Sequence, residues 1–574
     1  MKKTILICLV GLLCLPTSTL LAQVADSPGA DFLHRSSPTV SPEQGDTHRG
    51  GVTRSDTLPE NNGLVDHSAA KGQESESSSA EVVIYGEIRG DVDSDQVEAK
   101  IYSNLLDVSS NIPSATVHSL PLELGHLYSG NIGLKTFQFT LPMEGELGYL
   151  DIRIGKSHPL DMFLVAAGDS VRIHLDLQNG RTIFTGPDAD AFRLQAEIHQ
   201  KLQEDRLSDN PVMFTPDRNR FLSDPEDLQL YKEISSTYQS GWSRKLDFLD
   251  SEELIYQHAK KQMGSAPDLE EYLQVLANHK DKLDKKRYAI LKADIIGRTQ
   301  MQPLDFFFRN LAQDHRYQDV FDSYRSAMES LWDGDEVPAV KSYFFGEYLY
   351  LRTNIQVNLD ATSLVTASEE LPQQQKELVL AKAIVKNFRR IPDLHKSVEA
   401  VLQQVQAPWI ANELNQLIAR QAEGSTLPHI GFEDREGKET FPQEWQGKVV
   451  LLDLWLVGCK ACAGFYQERL LPLYEEFGDR EDFLIATVAV DKDRDNWIKG
   501  LESGNYTDPG FTNLYAAGYN HPFLDHYKIS AFPSYMLIGK DGRILKSGDF
   551  PKDLSGWMDI MESYLSSDQT HSGI

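Results

Sequence analysis

Val449-Val450-Leu451-Leu452-Asp453-Leu454 is an apolar run broken by a single acid, and Cys459-Lys460-Ala461-Cys462 follows shortly after it. A continuous apolar run of this length reads as a strand covered on both faces, the habit of parallel sheets flanked by helices. Leu484–Val490 is a second such run. Helical patterns follow each run, over Ala461–Phe477 and Arg494–Ser503. Strand–helix alternation over about 140 residues predicts an α/β sheet domain at residues 424–568. The cysteine pair therefore falls where a buried strand ends and a helix opens.

The other two of the four cysteines, Cys8 and Cys14, lie in the first residues. There, Lys2 and Lys3 precede Ile5–Leu15, an apolar run too short to prefer spanning a bilayer. Ser18, Thr19 and Ala22 follow. This is the layout of a secretory signal peptide over residues 1–22, cut after Ala22, with an uncleaved anchor as the competing reading. Leu13, where a small residue is expected, argues against a lipid on Cys14. Removal of the leader leaves Cys459 and Cys462 as the only cysteines, so a disulfide framework is excluded. The expected location is the periplasm or cell envelope. A length of 574 residues predicts about three or four domains. A net charge of −29 argues against nucleic acid as the main partner, since phosphate binding needs a basic face.

Residues 23–80 are rich in Ser, Gly, Asp, Pro and Thr, with sparse apolar residues, and read as a disordered linker. Period-two alternation then appears at Phe137, Phe139 and Leu141, at Leu150, Ile152 and Ile154, and at Val171, Ile173, Leu175 and Leu177. It predicts an antiparallel β-sandwich domain over 81–188, with His174 solvated on a polar face. The period turns helical over 189–423, as at Leu378, Ala381, Val385 and Phe388. Stretches such as Phe192–Leu207, Leu269–Ile295 and Val320–Trp332 predict an all-α helical region, a spacer or partner-binding platform that names no chemistry.

The chemistry sits at the cysteine pair. A helix start carries partial positive charge and free N–H groups, which stabilise a thiolate at Cys459; Lys460 adds to this if its ammonium stays close. Two intervening residues let the sulfurs approach bonding distance, so Cys459 can attack a substrate disulfide and Cys462 can resolve the mixed disulfide. The competing readings are an inert disulfide and half of a zinc site. A structural zinc wants about four ligands, and His429, His521 and His526 have no ligand spacing. No metal or cofactor is expected.

Residues from about Thr426 to Leu565 resemble the thioredoxin-fold domain of the TlpA/ResA-like thiol-disulfide oxidoreductases of the bacterial envelope. The resemblance rests on Leu427-Pro428, Gly437-Lys438, Gly447-Lys448-Val449-Val450, Asp453, Trp455, the cysteine pair, Val490-Asp491, Trp497, Ala531-Phe532-Pro533-Ser534 and Lys540-Asp541-Gly542-Arg543. It implies that Asp453 is a buried acid with a raised pKa that takes the proton of Cys462. It implies a cis peptide before Pro533 that turns the Phe532 carbonyl toward the sulfurs. Trp455, Gly458, Lys460, Ala461, Phe532 and Pro533 are then the expected substrate-binding residues. Gly458 replaces a common Trp, and Lys460-Ala461 replace Gly-Pro. Those two residues tune a reduction potential that spans about 150 mV among dithiol proteins, which leaves the direction of electron flow open. Tyr506, Phe511, Tyr515 and Tyr519, in an insertion over Asn505–His526, are expected to pack, and Pro472 to kink its helix.

The resulting expectation is an exported thiol-disulfide oxidoreductase of the protein-disulfide reductase type. Its partners would be disulfide- or thiol-bearing envelope proteins and a membrane electron donor. The alternative is an envelope binding or scaffold protein whose cysteine pair only regulates it.

Overall fold

The computed structural model describes residues 81–566, apart from 126–133, 234–246, 331–340 and positions 209, 216, 224, 226, 227, 230, 265 and 392. The expected signal peptide and linker lie outside the described residues. Among the described residues no helix is long and apolar enough to cross a membrane.

Among the described residues nine strands come first: β1 (Glu81–Arg89), β2 (Gln96–Tyr102), β3 (Thr116–Pro121), β4 (Glu123–Gly125), β5 (Leu134–Pro142), β6 (Leu147–Ile154), β7 (Ser157–Ala166), β8 (Ser170–Asp176) and β9 (Arg181–Thr185). They form a five-stranded sheet ordered β4-β5-β1-β8-β9 and a four-stranded sheet ordered β3-β2-β6-β7. Alternate residues of both, among them Ile84, Val97, Phe139, Leu150, Val165 and Ile173, close one shared core. The sandwich is not purely antiparallel, because β1 runs parallel to β8. The turn at Gly168-Asp169 carries the chain from β7 in one sheet to β8 in the other and delivers it beside the start of β1. There Gly168 N–H donates to Glu81 O and Val83 N–H to Asp169 O. Periodicity reports which face is buried, not which way a neighbour runs. His174 corrects another expectation: it is only 17% exposed and lies 3.7 Å from the buried Glu87, its register partner across that parallel pair.

The second sheet is covered on its outer face too. Tyr149, Leu147 and Leu164 share a core with Phe307, Phe321, Phe345 and Ile355 from the helical layer. The stretch 269–295, expected as one helix, is two: Ala266–Ala277 and Lys285–Asn310. Asp284 starts the second by accepting the Arg287 N–H at 2.9 Å, a capping bond that a continuous apolar period conceals. The region is also not all-α, since β10 (Val212–Phe214) pairs in parallel with β11 (Asp247–Leu249).

Arg287 joins the two layers. Its guanidinium meets both oxygens of the buried Asp169 carboxylate, at 2.9 and 2.8 Å, and donates to Leu164 O at 3.0 Å. Removing one partner of a buried bidentate pair strands the other charge. Arg287→Ala is expected to cost about 3 kcal/mol of stability, read as a lower urea midpoint; an unchanged midpoint would contradict this role.

The last part of the chain builds a seven-stranded sheet from β12 (Phe432–Glu433), β13 (Glu439–Thr440), β14 (Val449–Trp455), β15 (Phe483–Ala489), β16 (Thr512–Tyr515), β17 (Ser534–Ile538) and β18 (Ile544–Lys546). The order is β13-β12-β16-β15-β14-β17-β18. β14 is buried at every position and lies between parallel β15 and antiparallel β17. Val450, Leu452 and Leu454 face one core, with Phe523 and Met536. Val449 and Leu451 face the other, with Tyr466, Leu470 and Trp557. The helix that opens at Cys459 runs Lys460–Phe465, passes through a π turn at Tyr466–Leu470, and resumes at Leu471–Phe477. Pro472 lacks an N–H and its ring crowds the preceding turn, and the widened turn lies just ahead of it.

Candidate active site

The end of β14 sets the position of the cysteines. Val490 N–H donates to Trp455 O at 2.8 Å, which fixes the strand end against β15. The chain then turns through Leu456-Val457-Gly458. Gly458 has φ +85°, a conformation that glycine adopts without a Cβ penalty. The Trp common here in the family would have to take up a left-handed backbone in this loop. Asp491 holds the same turn by accepting Val457 N–H at 3.2 Å.

Cys459 caps the helix start, and Cys462 lies one turn on; the two form a disulfide. Cys462 N–H points at Cys459 Sγ from 3.1 Å. That amide offers a hydrogen bond to a thiolate at Cys459 once the pair is reduced, which favours the charged form. The two sulfurs differ in access. Cys459 is half-buried, while Cys462 is only 2% exposed and packs with Trp455, Ala489, Trp497 and Tyr515. An incoming disulfide can reach the outer sulfur and not the inner one. Phe532 O, in the cis Phe532–Pro533 unit, lies 3.8 Å from Cys459 Sγ.

Asp453 lies on the β14 face that also carries Leu451 and Trp455, because strand side chains alternate. Leu451 packs with Tyr466, and Trp455 with Cys462. The carboxyl is thus enclosed beneath the cysteine-bearing helix. It is 2% exposed, and its Oδ1 has no hydrogen-bond partner among the described residues. Burial pushes its pKa up to about 8. A carboxyl in that state can hold or release a proton near neutrality.

Of the expected substrate-edge residues, Gly458, Lys460 and Ala461 are exposed beside Cys459, and Phe532 and Pro533 are half-buried next to it. Trp455 is a correction: it is fully buried and cannot touch a substrate. It underlies the pair instead, stacked on Tyr506 with centroids 4.9 Å apart. Tyr506 was expected only to pack, yet its hydroxyl also accepts Gly458 N–H at 2.9 Å and so positions the turn before Cys459. Tyr515 stacks on Trp497 and Phe511 packs against Tyr474, as expected of core aromatics. Tyr519 does not follow them and stands half exposed. The histidines weighed as zinc ligands are engaged elsewhere: His429 stacks on Phe441, His521 on Phe432, and His526 lies edge-on to Tyr527.

A buried strand ending in a dithiol helix, with an acid beneath and a cis-proline loop beside it, defines the class of thioredoxin-like thiol-disulfide oxidoreductases. The Thioredoxin-like family matches residues 447–544. The thiol-disulfide oxidoreductase ResA of Geobacillus thermodenitrificans is 30% identical over 127 residues, which cover 22% of this chain and 68% of that protein. ResA of Bacillus anthracis is 26% identical over 126 residues, covering 21% of this chain and 67% of that protein. The crystal structure of the thioredoxin domain of a Bacteroides vulgatus thiol-disulfide oxidoreductase shares 27% identity. It covers 24% of this chain and 97% of that one, with a TM-score of 0.22. The chain belongs to the ResA-like thiol-disulfide oxidoreductases, and its C-terminal domain carries the likeness.

Proposed function

We propose that this enzyme is an exported protein-disulfide reductase that acts on disulfide-bearing proteins of the cell envelope and is itself re-reduced by a membrane dithiol donor. The observation that carries this reading is the asymmetry of the pair: an accessible Cys459 sulfur, addressed by the Cys462 amide and the Phe532 carbonyl, over an enclosed Cys462. The leader-like residues 1–22 support export.

Cys459 thiolate attacks one sulfur of the substrate disulfide. A new S–S bond forms, the old one breaks, and the departing thiolate takes a proton from water. Asp453, ionised, then accepts the Cys462 proton, and the Cys462 sulfur attacks Cys459 Sγ. The second substrate sulfur leaves as thiolate and is protonated. The substrate gains two electrons, and the pair loses two and closes as Cys459–Cys462. A donor dithiol reverses the last bond by the same exchange.

Removing the resolving sulfur tests the partner class. Cys462→Ser, expressed with its leader, is expected to accumulate Cys459-linked mixed disulfides with envelope proteins, released by dithiothreitol. The doubly substituted Cys459→Ser, Cys462→Ser chain is expected to yield none. Noncovalent capture of the same partners by both variants would instead favour the scaffold reading.

A further inference from the structure

Next to Cys459 lies an aromatic surface that the exchange steps do not use. Tyr519 sits in the connection between β16 and the helix Pro522–Tyr527. It is 50% exposed, whereas Trp455, Trp497 and Tyr515 around the same site are buried. Its ring lies 5.8 Å from that of Phe532 and is tilted 59° to it. Phe532 is itself only half-buried, and its carbonyl is the group 3.8 Å from Cys459 Sγ. Burial first, and the Asp491 carboxylate second, push the Tyr519 hydroxyl up. Gly518, the neighbour of Tyr519, packs against Lys492, and Lys492 follows the Asp491 that holds Val457 N–H, so Tyr519 and the turn before Cys459 stand on one rim. At Gly458 on that turn, an added Cβ would meet no described atom within 4 Å. The rim is thus open over Gly458 and aromatic over Tyr519 and Phe532.

We propose that Tyr519 and Phe532 form an aromatic shelf that receives a large apolar or aromatic side chain flanking the disulfide cysteine of an extended protein segment. The occupant follows from reach. An extended chain advances about 3.3 Å per residue. With the substrate sulfur against Cys459 Sγ, the residue one or two positions away comes over a ring whose own carbonyl adjoins that sulfur. Offset and tilted ring pairs favour an aromatic visitor over alanine, beyond the area it buries. The shelf rests on the reading of proteins as substrates, and it adds a preference in sequence to that reading.

The test uses the full chain, pre-reduced and desalted, with two extended peptides. They differ only in carrying Phe or Ala beside a cysteine that is disulfide-linked to a chromogenic thiol. The readout is the ratio of second-order reduction rates, which does not depend on the absolute activity of a variant. The parent chain is expected to favour the Phe peptide about fivefold. Tyr519→Ala is expected to bring the ratio to about one, and Tyr519→Phe to keep it. Tyr519→Ser replaces the alanine variant should that chain fail to fold. A ratio near one in the parent, or a ratio unchanged by loss of the ring, overturns the shelf while leaving protein-disulfide reduction standing. Failure to reduce either peptide, by a pair that still cycles with dithiothreitol, overturns both readings.

Discussion

Replacing Cys459 with serine is expected to bring peptide-disulfide reduction to the uncatalysed background, a loss of at least about three orders of magnitude. The effect is large because the reaction has one usable nucleophile. Cys459 is the half-buried, outer cysteine, and its sulfur is the one toward which Cys462 N–H and Phe532 O converge. Cys462 is enclosed by Trp455, Trp497 and Tyr515 and has no path to a bulky disulfide. A serine hydroxyl in place of the thiol is not ionised near neutral pH and forms no disulfide. Cys462→Ser should behave differently. It keeps the first exchange at close to the parent rate, releases one leaving thiol per chain, and stops. Stopped-flow detection of a chromogenic leaving thiol separates the two: a single-turnover burst for Cys462→Ser, and no burst for Cys459→Ser. A burst from Cys459→Ser would reverse the assignment.

Asp453→Asn is expected to move activity and stability in opposite directions. As the group that accepts the Cys462 proton, Asp453 works only when ionised. With its pKa at about 8, resolution in the parent should accelerate as pH rises from 6 and level off above about 8. Asparagine cannot take the proton, so turnover at pH 8 should fall about 100-fold and that inflection should vanish. Stability runs the other way. The unfolded chain ionises this carboxyl near its ordinary 3.8, the folded chain near 8. Between those values the unfolded state binds fewer protons, so stability falls as pH rises from about 4 to about 8. Asparagine carries no such term. At pH 7 the variant should therefore be the more stable by on the order of 4 kcal/mol. Urea titrations of both chains across pH 5–9 check this. Parallel pH dependence of the two would show that Asp453 is not the titrating group.

How much of this was legible in the sequence depended on the range of the interaction. The run through Asp453 announced a strand covered on both faces, because two-sided burial leaves no polar alternation, and the helix opening at the cysteines followed locally. The buried acid in that run was legible through the family resemblance, which places a carboxyl beneath the cysteine pair at Asp453. Phe532 and Pro533 were legible through the motif that carries them. Tyr506 and Tyr519 were not. Each meets its partner only through tertiary folding, Tyr506 with Trp455 and Gly458 about 50 positions away, and no local period encodes that meeting. Trp455 misled for the complementary reason. It stands close to Cys459 in sequence, but strand parity turns it under the site rather than onto the substrate edge. In the first sheet, alternation placed the buried faces and was silent on direction, so the parallel β1–β8 pair came from the turn at Gly168-Asp169. The Arg287–Asp169 pair spans more than a hundred residues and was equally invisible.

Cys459 and Cys462, joined as a disulfide, are expected to form a reversible two-electron couple. Its most direct test is the reduction potential of the pair in the full chain, equilibrated against glutathione and dithiothreitol buffers, with alkylation of free thiols as the readout. The expected result is one two-electron transition toward the reducing end of the range of dithiol proteins, near about −250 mV or lower. A transition near about −120 mV would mark an oxidant and contradict the reductase reading. A pair that does not open and close reversibly would contradict the redox account itself.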